Sequence, residues 1–233
     1  MAFYELFMVG MTEQLKLIKR AKYLCTDLFT SQFKQTLSTI RAEPSVKSII
    51  PHILNYLLWL SKDQESQLEC QFCILTTIHQ ILLNPYLEID QHLHVVMILI
   101  MTVLLSTYLS ADDLPNIVHI KTYAGKMLGL ICKRYEQKYS TIMTNALHLI
   151  WKVIEDKNSQ VDSLFGAIQG AFWLGTAATK KILITHLDIL YPRLTTIDKK
   201  QIVSASLSGQ CLTSLIVNTL IKIRWQVFAC SKK

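Results

Sequence analysis

About ten stretches of helical periodicity, each roughly 13 to 20 residues long, succeed one another from Met11 to Phe228, with short polar breaks and almost nothing that reads as a strand. A helix with one apolar stripe must bury that stripe against a neighbour, and a long run of such helices does so by stacking in pairs. The chain is therefore expected to be all-α, an α-solenoid of about five helix pairs. Such a stack offers long surfaces to partner proteins and seldom encloses a catalytic cleft, so the functional question becomes what it holds.

Composition narrows this further. With 233 residues, of which 51% are apolar, the chain can bury a substantial core and is expected to form one elongated domain over residues 1–233, fraying within the first ten residues. Its 7 glycines and 5 prolines fall mostly at helix breaks, which argues against sandwiches, barrels and disordered tails. The net charge of +7 favours acidic proteins or nucleic acid without deciding between them. The densest basic cluster, Lys16, Lys19, Arg20 and Lys22, reads as solvated helix surface, with a nucleic-acid footprint as the sharper alternative.

Val95 to Leu105 (VVMILIMTVLL) is nearly all apolar, yet it falls short of the ~18 to 20 apolar residues of a spanning helix. His92 and His94 precede it, and Ser106, Thr107, Asp112 and Asp113 follow. It is expected to be a helix covered on all sides within the stack, and no membrane role is assigned. The start, MAFYELFMVGMTEQ, lacks a basic n-region and carries Glu5, so an intracellular protein is expected.

Cys25, Cys70, Cys73, Cys132, Cys211 and Cys230 sit mainly among apolar helical neighbours and read as reduced core residues. Cys70 and Cys73 form a C-x-x-C near His79, His92 and His94, but no second C-x-x-C or paired histidine motif completes a zinc set, and i, i+3 cysteines share a face of a helix in any case. His92 and His94 would splay about 200° apart on a helix, wrong for joint ligation. No G-x-S-x-G, Walker A, H-E-x-x-H or EF-hand loop is present, so no catalytic residue, cofactor or metal is assigned. Trp59, Trp151, Trp173 and Trp225 lie on separate helices, as core anchors or, alternatively, as partner hot spots.

Breaks place the helices. Runs are expected at Thr12–Cys25, Leu28–Arg41, from Pro44 through Trp59 with a kink or late start at Pro51, Asp63–Leu83, Asp90–Leu109, Ile117–Tyr139, from Ser140 or Thr141 to Asp156, Val161–Ala178, Lys180–Leu194, and from Asp198 onward. Within Ile117–Tyr139, the residues Ile120, Ala124, Met127, Ile131 and Tyr135 line one apolar face, while Thr122, Lys126, Lys133 and Gln137 line a polar one. In the next helix Asn145, His148, Lys152 and Glu155 form the polar row.

At Leu164 to Gly175 the chain reads L-F-G-A-I-Q-G-A-F-W-L-G. This resembles the Y-G-A-I-x-G-L-x-x-L-G helix in the C-terminal HEAT-repeat domain of the sixth TBP-associated factor of transcription factor IID. Leu83-Asn84-Pro85-Tyr86 is similar to that family's N-P break. The segment from Lys121 to Tyr135 is similar to its R-D-x-A-A-x-L-[LV]-x-x-I-C-x-x-[FY] helix. Ile50-Pro51-His52-Ile53 and Tyr191-Pro192-Arg193-Leu194 are similar to its L-P segments. The likeness is collinear from Thr12 to Leu194; Leu164, Phe165 and Ala171 depart from the family pattern. Gly166, Ala167, Gly170 and Gly175 would strip side chains from one helix so that its neighbours approach closely, a cost in helix propensity that tight packing offsets.

The resemblance implies a non-enzymatic, HEAT-type nuclear scaffold of the RNA polymerase II initiation machinery. Its partners would be other transcription factor IID subunits, with two copies meeting through this domain. The family's histone fold is not visible in these residues, so histone-type pairing is not credited, and direct DNA contact stays undecided. Lys126, Lys133, Arg134 and Arg193 lie on or beside matched segments and are the candidate partner contacts. A HEAT-like nucleic-acid repair protein and a transport or coat adaptor solenoid are the competing readings.

Overall fold

The computed structural model describes residues 31–62, 68–107, 114–175, 190, 214 and 216–221. Every regular element among them is helical: α1 (Ser31–Ala42), a 3-10 helix (Pro44–Ile49), α2 (Ile50–Lys62), α3 (Leu68–Leu83), a 3-10 turn (Asp90–His92), α4 (Leu93–Leu105), α5 (Leu114–Tyr135), α6 (Ile142–Glu155) and α7 (Val161–Trp173). The runs expected at Thr12–Cys25, Lys180–Leu194 and beyond Asp198 lie outside the described residues, except that 190, 214 and 216–221 are helical. The backbone groups into two compact units, Met1–Leu99 and Ile100–Lys233.

In the first unit, α3 packs against both α1 and α2. Pro44 holds Glu43 extended (φ −90°, ψ 126°), as a residue before proline must be, and the chain then winds through the 3-10 helix directly into α2. Pro51 therefore stands in the first turn of α2, where its missing N–H is no loss, and the helix has the late start expected of it. Ile53, Leu54, Leu57 and Leu60 of α2 and Cys73, Ile74, Ile78 and Ile81 of α3 are all buried in the unit's apolar core. Where α3 ends, the buried Asn84 donates from Nδ2 to Ile40 O (2.7 Å) and Glu43 O (3.1 Å) and accepts the Tyr86 N–H (2.9 Å). One amide side chain thus satisfies carbonyls at the end of α1 and fixes the turn through Pro85 and Tyr86.

α4 departs from expectation twice. It ends at Leu105 rather than Leu109, and it is not covered all round: Ile98 is 52% exposed, and Thr102, one turn on, is exposed as well. Packing reaches the side that carries Val96, Leu99, Ile100, Val103 and Leu104, and an apolar circumference alone does not decide how much of a helix its neighbours touch.

In the second unit, α7 packs against both α5 and α6. α5 begins earlier than its periodicity suggested, with Pro115 in its first turn, and stops at Tyr135. The stripe Ile120, Ala124, Met127, Ile131 and Tyr135 is buried as its spacing required, and in α6 the row Asn145, His148, Lys152 and Glu155 is exposed. Every residue of α7 from Asp162 to Ala171 is buried, so this helix is the centre of its unit.

Candidate interaction surface

Small residues allow α7 its central place. A Cβ on Gly166 would overlap the backbone carbonyl of Leu104, and one on Gly170 would lie 2.7 Å from Leu104 Cδ2 and 3.0 Å from Ile150 Cδ1. Ala167 beside them is fully buried. Gly175 stands in a different situation from the packing role its place in the motif suggested: no described residue lies within 4 Å of its notional Cβ, and its φ of +107° makes it the residue that turns the chain out of α7. The opposing helix answers with glycines of its own. A Cβ on Gly125 would come 2.9 Å from Trp173 Cδ1, and one on Gly129 would strike the Trp173 carbonyl.

This close approach buries the C-terminal end of α4, whose last carbonyls need donors. Lys121, fully buried on α5, donates from Nζ to Leu104 O (3.0 Å) and Ser106 O (2.7 Å). Ser163 on α7 donates from Oγ to Leu105 O (2.9 Å) and Ser106 O (3.3 Å). α4 ends at Leu105 for this reason: α5 and α7 take over its terminal carbonyls. Burial pushes the Lys121 amine down to about 7, partly opposed by the carboxylate of Asp162, and burial with Glu136 nearby pushes the Cys132 thiol up to about 12, which keeps it unreactive. The family pattern places Lys121 at its leading basic position, but gave it no buried role. Its signal was a charged residue four after Ile117 and three before Ala124, on the apolar stripe.

Three of the four candidate contact residues lie on the outer side of α5. Lys126, Lys133 and Arg134 are exposed on α5, and Arg193 lies outside the described residues. Lys126 Nζ sits 5.2 Å from the centroid of the Trp173 ring, and Phe172 meets that ring edge-on at 5.5 Å. Leu130, one turn beyond Lys126, is 61% exposed, and Trp173 is 37% exposed. Trp59 in the first unit is 60% exposed and stacked on Tyr56, so neither of these two tryptophans is a core anchor.

Among the described residues no group of three or more His, Cys, Asp or Glu side chains could hold a metal ion, and Cys70, Cys73 and Cys132 are not in disulfides. No described helix is long and apolar enough to cross a membrane.

Comparison with known proteins agrees with the residue-level likeness. The family described as TAF6 C-terminal HEAT repeat domain matches residues 11–188. The chain is 23% identical over 156 residues to transcription initiation factor TFIID subunit 6 of Arabidopsis thaliana, covering 67% of this chain and 28% of that protein. It is 23% identical over 158 residues to the SAGA complex/transcription factor TFIID complex subunit Taf6 of Schizosaccharomyces pombe, covering 66% and 34%. The chain thus spans about a third or less of the length of these curated relatives. The solved TAF6 C-terminal domain from Antonospora locustae superposes with a TM-score of 0.67 at 14% identity, over 88% of this chain and 95% of that one, a likeness that carries the all-α HEAT fold.

Proposed function

Because the chain belongs to the family of TAF6 C-terminal HEAT repeat domains, we propose that it is a non-enzymatic scaffold segment of a transcription factor IID subunit, acting in the nucleus. It would organise fellow subunits for RNA polymerase II initiation and meet a second copy of itself through the HEAT domain. The family match across residues 11–188 carries this reading, and the relatives named as TFIID and SAGA subunits supply the partner class. Its helical faces suit it: helix rows around a packed centre leave charged and aromatic side chains outward, with no cleft needed. The exposed Lys126, Lys133 and Arg134, together with Arg193, are the contacts we assign to those partners.

Affinity purification of the tagged full-length protein from nuclear extract, read by mass spectrometry, tests the proposal. TFIID subunits should co-purify in near-stoichiometric amounts. Alanine at Lys126, Lys133, Arg134 and Arg193 together should lower their recovery several-fold while the helical circular dichroism stays unchanged. Absence of every TFIID subunit from the purified material would refute the reading; undiminished recovery with the alanine variant would refute this face.

A further inference from the structure

The exposed side of α5 combines three features that the scaffold role alone does not require. The first is charge. The 22 residues of α5 contain no acid, and Lys126, Lys133 and Arg134 are all exposed on it; the nearest acids in sequence flank the helix, Asp113 before its start and the exposed Glu136 just past its end. On α7 the one acid, Asp162, is buried in the first turn, at the far end of that helix from Trp173. The second feature is apolar surface within the charged row: Leu130 stands between Lys126 and Lys133, largely exposed. The third is a prepositioned aromatic. Trp173 is seated against the glycine pair of α5, with Lys126 over its ring and Phe172 at its edge. An anchor already held in place loses little conformational freedom when a partner covers it.

We infer that this face, formed by Lys126, Leu130, Lys133, Arg134 and Trp173, docks an acidic amphipathic segment of a partner protein whose apolar side chains cover Leu130 and Trp173. Charge complementarity selects that occupant over the alternatives. A basic or neutral apolar segment would bring no opposite charge to this exposed row, and a second copy of this face would set like charges opposite one another. A nucleic-acid backbone would answer the charges but not Leu130, which a phosphate-lined surface has no means to cover. The inference rests on the proposal that this face holds a partner and adds the chemistry of what is held.

Fluorescence anisotropy of the full chain with a labelled peptide of about 15 residues tests it, the probe being built of Glu and Asp with Leu and Phe at i, i+3, i+4 and i+7. Saturable binding that weakens with added salt is expected. The triple variant Lys126→Glu, Lys133→Glu, Arg134→Glu should bind about tenfold or more weakly, and Leu130→Ser should also weaken binding, both with unchanged circular dichroism because these side chains are exposed. Three results would overturn the inference: no binding of the acidic peptide, equal binding of its Lys/Arg counterpart, or undiminished binding by the triple variant. Tighter binding of a random-sequence DNA duplex, lost in the triple variant, would reassign the face to nucleic acid. If TFIID subunits co-purify and the peptide fails, only the acidic-segment inference falls; if the peptide binds and no TFIID subunit co-purifies, only the TFIID reading falls.

Discussion

Lys121 shows how a single side chain can serve a fold while working against it. Its amine supplies donors to two carbonyls at the buried end of α4, and the negative end of that helix favours a cation, yet full burial costs more than these return to the charged form and brings its pKa down to about 7. The neutral amine still has two N–H groups to donate, so the cap survives deprotonation. In the unfolded chain the same group titrates near its ordinary 10.5. Below pH 7 both states hold the proton and the whole penalty is present. As pH rises from about 7 toward 10.5 the folded state has already released it, the unfolded state binds more protons, and stability climbs. Urea unfolding between pH 7 and 8 should therefore give a rising stability, with a slope of up to about 1.4 kcal/mol per pH unit from this group. Stopping at 8 keeps clear of Cys132 and Tyr123, which burial raises above their ordinary 9.0 and 10.0, so that each lowers stability once the unfolded chain releases its proton. Lys121→Met keeps the apolar stem and removes the donors; it should cost about 1 to 3 kcal/mol near neutral pH and flatten the slope. A variant that kept the slope would show that another group carries it.

At the scale of elements, α7 is the helix whose sequence was most readable and whose partner was least so. Glycines four apart on an apolar run announced a close approach, and Gly166 and Gly170 provide one, but the run could not say which backbone would come near. The answer lies in Leu104, 62 positions before Gly166 in sequence, and in Gly129, which its own surroundings, L-G-L within an ordinary apolar stretch, did not mark. Periodicity reports which face of a helix is dry; it does not report distance, and for that reason Asn84, read as a helix stop, proved also to tie α3 to the end of α1. The two glycines of α7 should respond differently to the same change. Gly166→Ala drives a methyl into a backbone carbonyl, which has no rotamer to escape by, so α7 must shift from α4 and pull on the bonds from Lys121 and Ser163. A loss of roughly 2 to 4 kcal/mol is expected, despite the gain of about 1 kcal/mol in helix propensity. Gly170→Ala meets the ends of Leu104 and Ile150 side chains, which can turn aside, and should cost about 1 kcal/mol or less. Denaturant midpoints of the two variants check the order; equal losses would mean that the α4 carbonyl can give way after all.

For the molecule as a whole, the succession of helices and polar breaks sufficed to predict an all-α chain, because that conclusion needs only periods and punctuation. The number of domains is harder to read from such a pattern, since a stack of pairs has the same local signals whether it unfolds in one step or several. The backbone groups into two compact units that meet in sequence between Leu99 and Ile100, yet that boundary falls inside α4, and the family match runs across it without interruption. Val96 and Leu99 are buried on one side of the boundary and Ile100, Val103 and Leu104 on the other. Unfolding one unit alone would fray half of a helix whose hydrogen-bond ladder the other half continues, exposing apolar side chains on both sides of the break. We therefore propose a single cooperative domain. Urea unfolding followed by circular dichroism and by tryptophan fluorescence should give coincident transitions: Trp59 reports on the first unit, and Trp151 and Trp173 report on the second. Substituting Trp59 by Phe leaves the second unit's signal to be read alone. If that signal changes at a different urea concentration from the circular dichroism, the two units unfold independently, and an interruption of the kind tolerated between repeats would have to be placed within α4 itself.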